Sequence, residues 1–183
     1  MAKGPRYSVK FRRRRQGKTD YKKRISLLRS GQPRLVIRKS NKYIICALVA
    51  YSQEGDRTIS AVHSSALKRF GWVHSCKNIP AAYLTGLLLA RKTSQKAAVL
   101  DVGLYSFTKK SKLCAALQGV LDGGISVPHS DQILPEQGRL RGEHIKQGIA
   151  ADFEKVKSNI LGKEKWLKKK VSPKKKSKKV RKK

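Results

Sequence analysis

The chain has 183 residues, with 44 Lys and Arg against 11 Asp and Glu, and a formal net charge of +33 at pH 7. The charge points to a polyanionic partner, and an apolar content of 39% can fill the core of one ordinary domain, which excludes a wholly disordered chain. Residues 1–32 carry +11, residues 33–150 carry +10 and residues 151–183 carry +12. We therefore predict a basic N-terminal arm with a short helix over 1–32, a folded core over 33–150, and an amphipathic helix with a Lys-rich tail over 151–183.

The first 18 residues are predicted to form an arm, because they show almost no apolar periodicity and contain four consecutive arginines. Tyr7 and Phe11 are interleaved with the basic residues, a mixture that can neutralise phosphates and stack on nucleobases. A short helix follows, with Thr19 or Asp20 as its N-cap and Gly31 as its C-terminal stop. Its apolar face is predicted to carry Tyr21, Ile25 and Leu28.

Strands are predicted in the central region. The segments 33–40, 43–51 and 57–63 are rich in Val, Ile and Tyr and are separated by turn signals, which indicates a three-stranded antiparallel meander. The nearly continuous apolar run at 97–102 is typical of a buried strand that pairs in parallel within a covered sheet. A further short strand is predicted at 125–127.

Helices are predicted to cover this sheet. One begins after the cap Asn78, and a second runs from the cap Ser111 to Gly123. A third is predicted at 139–149, followed by an amphipathic stretch. That stretch places on one face Phe153, Val156, Ile160 and Leu167. The predicted fold class is therefore α/β: a mixed sheet with an antiparallel three-stranded meander plus a parallel-type strand, and helices packed on the sheet.

No membrane span or secretion signal is predicted. The longest apolar stretch, 79–90, is interrupted by Pro80 and Thr85 and is shorter than the ~20 residues that a span needs. The N-terminus has no apolar signal region, because the basic run Arg12–Arg15 leads directly into polar sequence. We expect a cytoplasmic protein without membrane contact.

Catalytic and metal-binding patterns are weak. Gly17-Lys18-Thr19 matches the end of a phosphate-binding loop, but Arg12 stands where that loop needs a glycine, so we interpret the segment as a turn. Asp101 is the carboxylate best placed for a metal-dependent nuclease, yet no second acid stands at a motif spacing. The histidines are scattered and no CxxC pair is present, so no cofactor or metal site is predicted. Reduced, buried thiols are expected at Cys46, Cys76 and Cys114.

The one-signed charge runs favour nucleic-acid binding. RNA is favoured over DNA, because no helix-turn-helix, basic zipper or zinc-finger spacing is present and a folded core with two basic extensions suits irregular RNA. Two alternatives stay open. One is an RNA-processing enzyme that binds metal through Asp101, and the other is a DNA compactor that binds duplex DNA as tightly as structured RNA.

Nine motifs resemble one family, the universal large-subunit ribosomal proteins that bind 5S rRNA, numbered eighteen in the bacterial count and five in the eukaryotic count. The resemblance covers roughly residues 4–150, and the length of the chain is typical of archaeal members. The matching motifs are GPRY (4–7), FRRRR (11–15), GKTDY (17–21), PRLVIRKSN (33–41), FGW (70–72), NIPAAYLTGLL (78–88), LDVGL (100–104), AALQG (115–119) and VPH (127–129).

The resemblance implies a non-catalytic protein that lies with 5S rRNA in the central protuberance of the large subunit, contacting large-subunit rRNA and neighbouring ribosomal proteins. Basic RNA contacts carried over from the matched motifs are Arg6, Arg12, Arg13, Arg14, Arg15, Lys18, Arg24, Arg34, Arg38 and Lys39. Stacking or polar support is expected from Tyr7, Phe11, Tyr21 and Asn41. The chain departs from the family where Lys110 replaces a usual glycine, so we expect a different backbone in that loop.

Overall fold

A four-stranded mixed sheet forms the centre of the chain, in a computed structural model that describes residues 4–145 and 148–162. The strands are β1 (Arg34–Lys39), β2 (Ile44–Ala50), β3 (Arg57–His63) and β4 (Val99–Asp101), in the spatial order β3-β2-β1-β4. β2 pairs antiparallel with both β1 and β3, whereas β4 pairs parallel with β1. This topology confirms the predicted α/β class, with a meander plus one parallel strand.

Helices pack against the sheet, and three of them begin after the predicted caps Asp20, Asn78 and Ser111, although only the first two side chains make capping hydrogen bonds. Asp20 accepts hydrogen bonds from the backbone N–H groups of Lys22 and Lys23, and Asn78 accepts one from Ala81. A 3₁₀ segment that the sequence did not indicate follows β3, at Ser64–Phe70. The helices are α1 (Arg12–Arg15), α2 (Tyr21–Leu28), α3 (Ile79–Lys92), α4 (Lys112–Asp122), α5 (Gln137–Arg141) and α6 (Ile149–Gly162).

The core lies between one face of the sheet and α3, because alternate residues of β2 point inward. Ile44, Cys46 and Leu48 are fully buried, whereas Ile45 between them is exposed. α3 is apolar on nearly all sides and packs against the sheet, α4 and α6. A Cβ atom on Gly86 would lie 2.1 Å from a carbonyl oxygen of α4, so this glycine allows α3 and α4 to touch through their backbones.

Two predicted elements are wrong. The helix expected at 139–149 is interrupted, because Gly142 adopts a left-handed φ of 82° that ends α5, and α6 begins only at Ile149. The strand expected at 125–127 is reduced to a single parallel bridge between Ala97 and Ser126. Pro128, which has no N–H to donate, prevents its extension.

The ends of the chain agree in part with expectation. The predicted arm contains the short helix α1, and the predicted apolar face of α6 is buried at Phe153, Val156 and Ile160. Leu167 and the Lys-rich tail lie outside the described residues, and the division into three parts stays a prediction. Within the described residues, no helix is long and apolar enough to cross a membrane.

Candidate nucleic-acid interface

A basic groove, which we call the arm groove, lies between the N-terminal segment and the sheet edge formed by β1 and β4. It has a volume of about 160 Å³ and is bounded by α2, by the turn that precedes α2 and by the loop after β4. The basic side chains that line it are Arg13, Lys18, Lys23, Arg24, Arg34 and Arg38. Five of these six, all except Lys23, are among the RNA contacts that the family resemblance implied, so the fold brings them to one place.

Ion pairs in the groove connect α2 to the sheet. Asp56, at the turn before β3, accepts hydrogen bonds at 2.7 Å from both Arg24 on α2 and Arg34 on β1. Asp101, at the end of β4, accepts one at 2.8 Å from Arg34 and one at 2.9 Å from Arg38. These five residues, which we call the ion-pair chain, alternate in charge, and all of them except Asp56 line the groove.

Both carboxylates of the ion-pair chain stay charged over an extended pH range. Burial alone would raise the pKa of Asp101, but the hydrogen bond and charge of Arg38, the N–H of Gly103 and the charge of Arg34 together lower that pKa below 3.8. The pKa of Asp56 is likewise lowered: burial opposes the shift, and Arg24 and Arg34 outweigh it. The groove floor is therefore a fixed array of charges at neutral pH.

Docking of α2 depends more on charge than on apolar packing. Ile25, predicted to lie on the apolar face of this helix, is 54% exposed, while Tyr21 and Leu28 are half-buried. The Nζ atom of Lys23 donates to the carbonyl oxygen of Gly103 at 3.3 Å, which adds a polar contact to the Arg24 pair. The apolar face predicted for this helix is thus only partly used.

The predicted arm contacts lie at the surface, and two of them, Arg13 and Lys18, line the groove. Arg6 and Tyr7 are exposed, as are all four arginines of α1 and Lys18. The Nε atom of Arg13 donates to the hydroxyl of Thr19 at 2.8 Å. The ring of Phe11 is 72% exposed and lies 5.3 Å from the ring of Tyr21, so these two aromatic residues form a pair at the surface.

Three predicted contacts lie deeper or elsewhere. Arg34 is only 4% exposed, and its guanidinium is engaged by Asp56 and Asp101, which leaves little of it open to a ligand. Lys39 and Asn41 are exposed but line a second cavity, on the other side of the end of β1. Of the fourteen predicted contacts, five therefore line the arm groove, two line the second cavity and seven line neither.

Sequence reasoning missed several basic residues of these sites. Lys23 lines the arm groove, and the second cavity is lined by cations far apart in the chain, such as Lys77 and Arg139. Lys77 precedes the predicted cap Asn78, so its position at the start of α3 could have been inferred. Its proximity to the end of β1 depends on tertiary packing, which a single sequence does not report.

The surroundings of Asp101 argue against the nuclease alternative, in which this carboxylate would bind a metal ion. Both oxygens of Asp101 already accept hydrogen bonds, from Arg34, Arg38 and the N–H of Gly103. Two guanidinium groups at hydrogen-bond distance oppose the approach of a divalent cation. Among the described residues, no group of three or more His, Cys, Asp and Glu side chains is placed to hold a metal ion.

Comparison with known proteins places the chain in a family. Residues 5–99 match the family described as ribosomal large subunit proteins 60S L5 and 50S L18. The large ribosomal subunit protein uL18 of Korarchaeum cryptofilum is 53% identical over 148 residues, covering 79% of this chain and 76% of the relative. The uL18 proteins of Methanospirillum hungatei and Methanothrix thermoacetophila are 48% and 44% identical, covering 80% and 88% of this chain and 86% and 100% of the relatives. The chain therefore belongs to the uL18 family of large ribosomal subunit proteins, as a structural constituent of the cytoplasmic ribosome.

Proposed function

We propose that the chain binds 5S rRNA and anchors it in the central protuberance, beside neighbouring large-subunit proteins, while its arm and tail neutralise rRNA phosphates. The observation that carries this proposal is the arginine cluster of α1. Arg12–Arg15 are all exposed beside the arm groove, and none has a carboxylate within 4.0 Å among the described residues. Adjacent like charges repel one another unless a polyanion lies against them, which is the role of an RNA backbone.

The contacts divide into two kinds. Arginines of α1 and Lys18 face solvent and are free to meet phosphates, and guanidinium groups can hold a phosphate with two hydrogen bonds. Arg34 instead positions its neighbours, because its guanidinium links two carboxylates beneath the groove. Tyr7 and the Phe11–Tyr21 pair offer exposed rings on which unpaired bases can stack.

No reaction is part of this function. The buried ion pairs of Asp101 suit a structural role, and the chain acts by shape and charge. We expect 5S rRNA to remain intact after long incubation with the protein and Mg²⁺, as judged by gel electrophoresis. Cleavage that disappears in Asp101→Asn would instead support the nuclease alternative.

The test of the proposal is a salt titration of binding. The affinity for 5S rRNA is compared with that for an unrelated structured RNA of equal length and for duplex DNA. We expect 5S rRNA to bind at least about 100-fold tighter, with the preference retained at high salt, where sequence-independent phosphate contacts have weakened. Equal weakening of all three ligands would contradict a 5S-specific role, and equal affinity for duplex DNA would favour the DNA compactor.

The arm has a matched control within the chain. Changing Arg12–Arg15 to alanine removes four charges next to the arm groove, and changing four of the lysines in 174–179 removes the same number from the tail. We expect the arm variant to lower the salt slope of binding by about 3, from roughly 0.7–0.9 per lost phosphate contact. Equal losses in the two variants would show that total charge, and not the place of the arginines, determines affinity.

A further inference from the structure

A second basic cavity, which we call the lysine cavity, lies across the end of β1 from the arm groove. Its volume is about 590 Å³, and its walls come from the β1–β2 turn, the start of α3, the loop after β4, the start of α4 and α5. The basic residues that line it are Lys39, Lys77, Lys110, Lys112 and Arg139. None of these except Lys39 belongs to the contacts that the family resemblance implied.

The charge of this cavity is poorly compensated. Among the described residues, Lys110 is paired with Glu136, but no carboxylate lies within 4.0 Å of Lys39, Lys77 or Lys112. Burial and then the nearby charges of Lys77 and Lys39 lower the pKa of Lys112. Three mutually repelling ammonium groups around one cavity are stabilised when an anion enters it.

Uncharged groups of the cavity also favour an anion. Ser111 is the N-cap of α4, yet its hydroxyl makes no capping hydrogen bond and lies 3.4 Å from the sulfur of Cys114. The N–H groups of the first turn are therefore left without a side-chain acceptor, at the positive end of the helix dipole. Lys110 beside it has a φ of 56°, a left-handed conformation that is uncommon for a lysine and costs it energy.

The two basic sites are lined by neighbouring residues at two places in the chain, and because successive side chains of a strand point to opposite faces, they lie on opposite sides of the end of β1. Arg38 lines the arm groove and the next residue, Lys39, lines the lysine cavity. In the loop after β4, Leu104 lines the groove and Tyr105 lines the cavity. A ligand that carries a charge at every step can therefore occupy both sites as it crosses the end of β1, whereas a single small anion cannot.

We propose that the lysine cavity holds phosphodiester groups of the same RNA strand that occupies the arm groove. This inference rests on the proposed RNA-binding function and adds a second docking point, provided by the folded core. The lysine cavity differs from the arm, because its cations come from four separate elements and form a cluster only in the folded chain. An acidic protein segment is the alternative occupant that the experiment has to exclude.

The experiment compares two triple variants of the full chain. The cavity variant carries Lys39→Gln, Lys77→Gln and Lys112→Gln. The control carries the same substitution at three exposed lysines away from both sites. Its positions are Lys68, Lys96 and Lys155. We expect the salt slope for RNA binding to fall by about 2 in the cavity variant, at roughly 0.7–0.9 per phosphate contact, and to stay unchanged in the control. Urea denaturation of both variants shows that the fold is retained.

Reductive methylation supplies a second readout on the unmodified protein. Bound RNA should protect the amines of Lys39, Lys77 and Lys112, and leave Lys96 as reactive as in the free chain. One result would overturn the inference and leave the proposed function standing. In that result the wild type prefers 5S rRNA, but these lysines stay reactive and the cavity variant binds like the control. The opposite result would support the cavity contact and contradict the 5S proposal. In that result the wild type shows no preference for 5S rRNA, but 5S rRNA and the unrelated RNA both protect the cavity lysines and the salt slope still falls in the cavity variant.

Discussion

Asp101 joins two arginines of β1, and removing its charge should destabilise the fold by a measurable amount. The carboxylate side chain is 9% exposed, accepts one hydrogen bond from Arg34, and accepts two more from Arg38 and the N–H of Gly103. In Asp101→Asn the amide nitrogen faces one of these donors. Arg34, itself 4% exposed, then keeps only Asp56 as a charged partner.

The size of the effect follows from this geometry. Removing one partner of a buried ion pair costs about 3–5 kcal/mol, because the other charge is left without compensation. The cost here should be at the low end, about 3 kcal/mol, since Arg34 retains Asp56 and the side chain of Arg38 is 36% exposed. A domain with a total stability of about 5–15 kcal/mol survives this loss, so the variant can be compared with wild type by urea denaturation.

The pH dependence of the same comparison gives a second check. Because the pKa of Asp101 in the folded protein lies below 3.8, its ionised form stabilises the fold at neutral pH. The stability difference between wild type and Asp101→Asn should be complete above about pH 5 and shrink as the pH falls through the folded pKa. Glu54→Gln, in the exposed turn before β3, serves as a control with no expected change in stability. A loss in Asp101→Asn no larger than in this control would refute the structural role of the ion-pair chain.

Three further predictions concern the core. Gly86→Ala should lower stability by about 1–3 kcal/mol in thermal denaturation, because its Cβ would collide with the backbone of α4, whereas Gly162→Ala, with open space at its Cβ, should not. Tyr83→Phe removes a 2.6 Å hydrogen bond to Asp122 and should cost about 1 kcal/mol in urea denaturation; no loss would show that the bond is not formed in solution. Burial raises the pKa of Cys46 to about 12, so its alkylation at pH 8 should follow unfolding, and rapid alkylation of the native protein would contradict its burial.

Elements with local signals were predictable from the sequence. The caps Asp20 and Asn78 act through hydrogen bonds to N–H groups two or three residues away, so the residues that specify the helix start are adjacent in the chain. The three-stranded meander was also predictable from the sequence, because β2 alternates in burial and short turns join the strands. The break at Gly142 also had a local signal, a glycine followed by a second one at 148, and the prediction of a continuous helix overlooked it.

The candidate sites were less predictable, because their members meet only through tertiary packing. Arg34 and Asp101 are 67 residues apart, and Arg34 and Asp56 are 22 apart. The motif around Arg34 showed a basic residue in a strand, but not the two carboxylates that the fold places against it. The lysine cavity was even harder to predict from the sequence, because Lys39, Lys77 and Lys112 lie in separate segments and match no motif spacing.

The basic residues thus fall into two groups: those that stabilise the fold through ion pairs, and exposed ones that can contact RNA. A binding assay alone does not distinguish these groups. Arg34→Ala should weaken RNA binding, because it removes one of the two arginine partners of Asp56 and of Asp101 and so lowers the stability of the domain. Arg15→Ala should weaken binding with no change in stability, because the exposed side chain of Arg15 contacts no carboxylate among the described residues. Measuring the RNA affinity and the stability of each variant distinguishes the two groups. For Arg34→Ala, the loss of affinity should disappear when it is corrected for the folded fraction. For Arg15→Ala, the loss should remain after the same correction. A loss for Arg34 that persists after this correction would mean that its guanidinium also reaches the RNA.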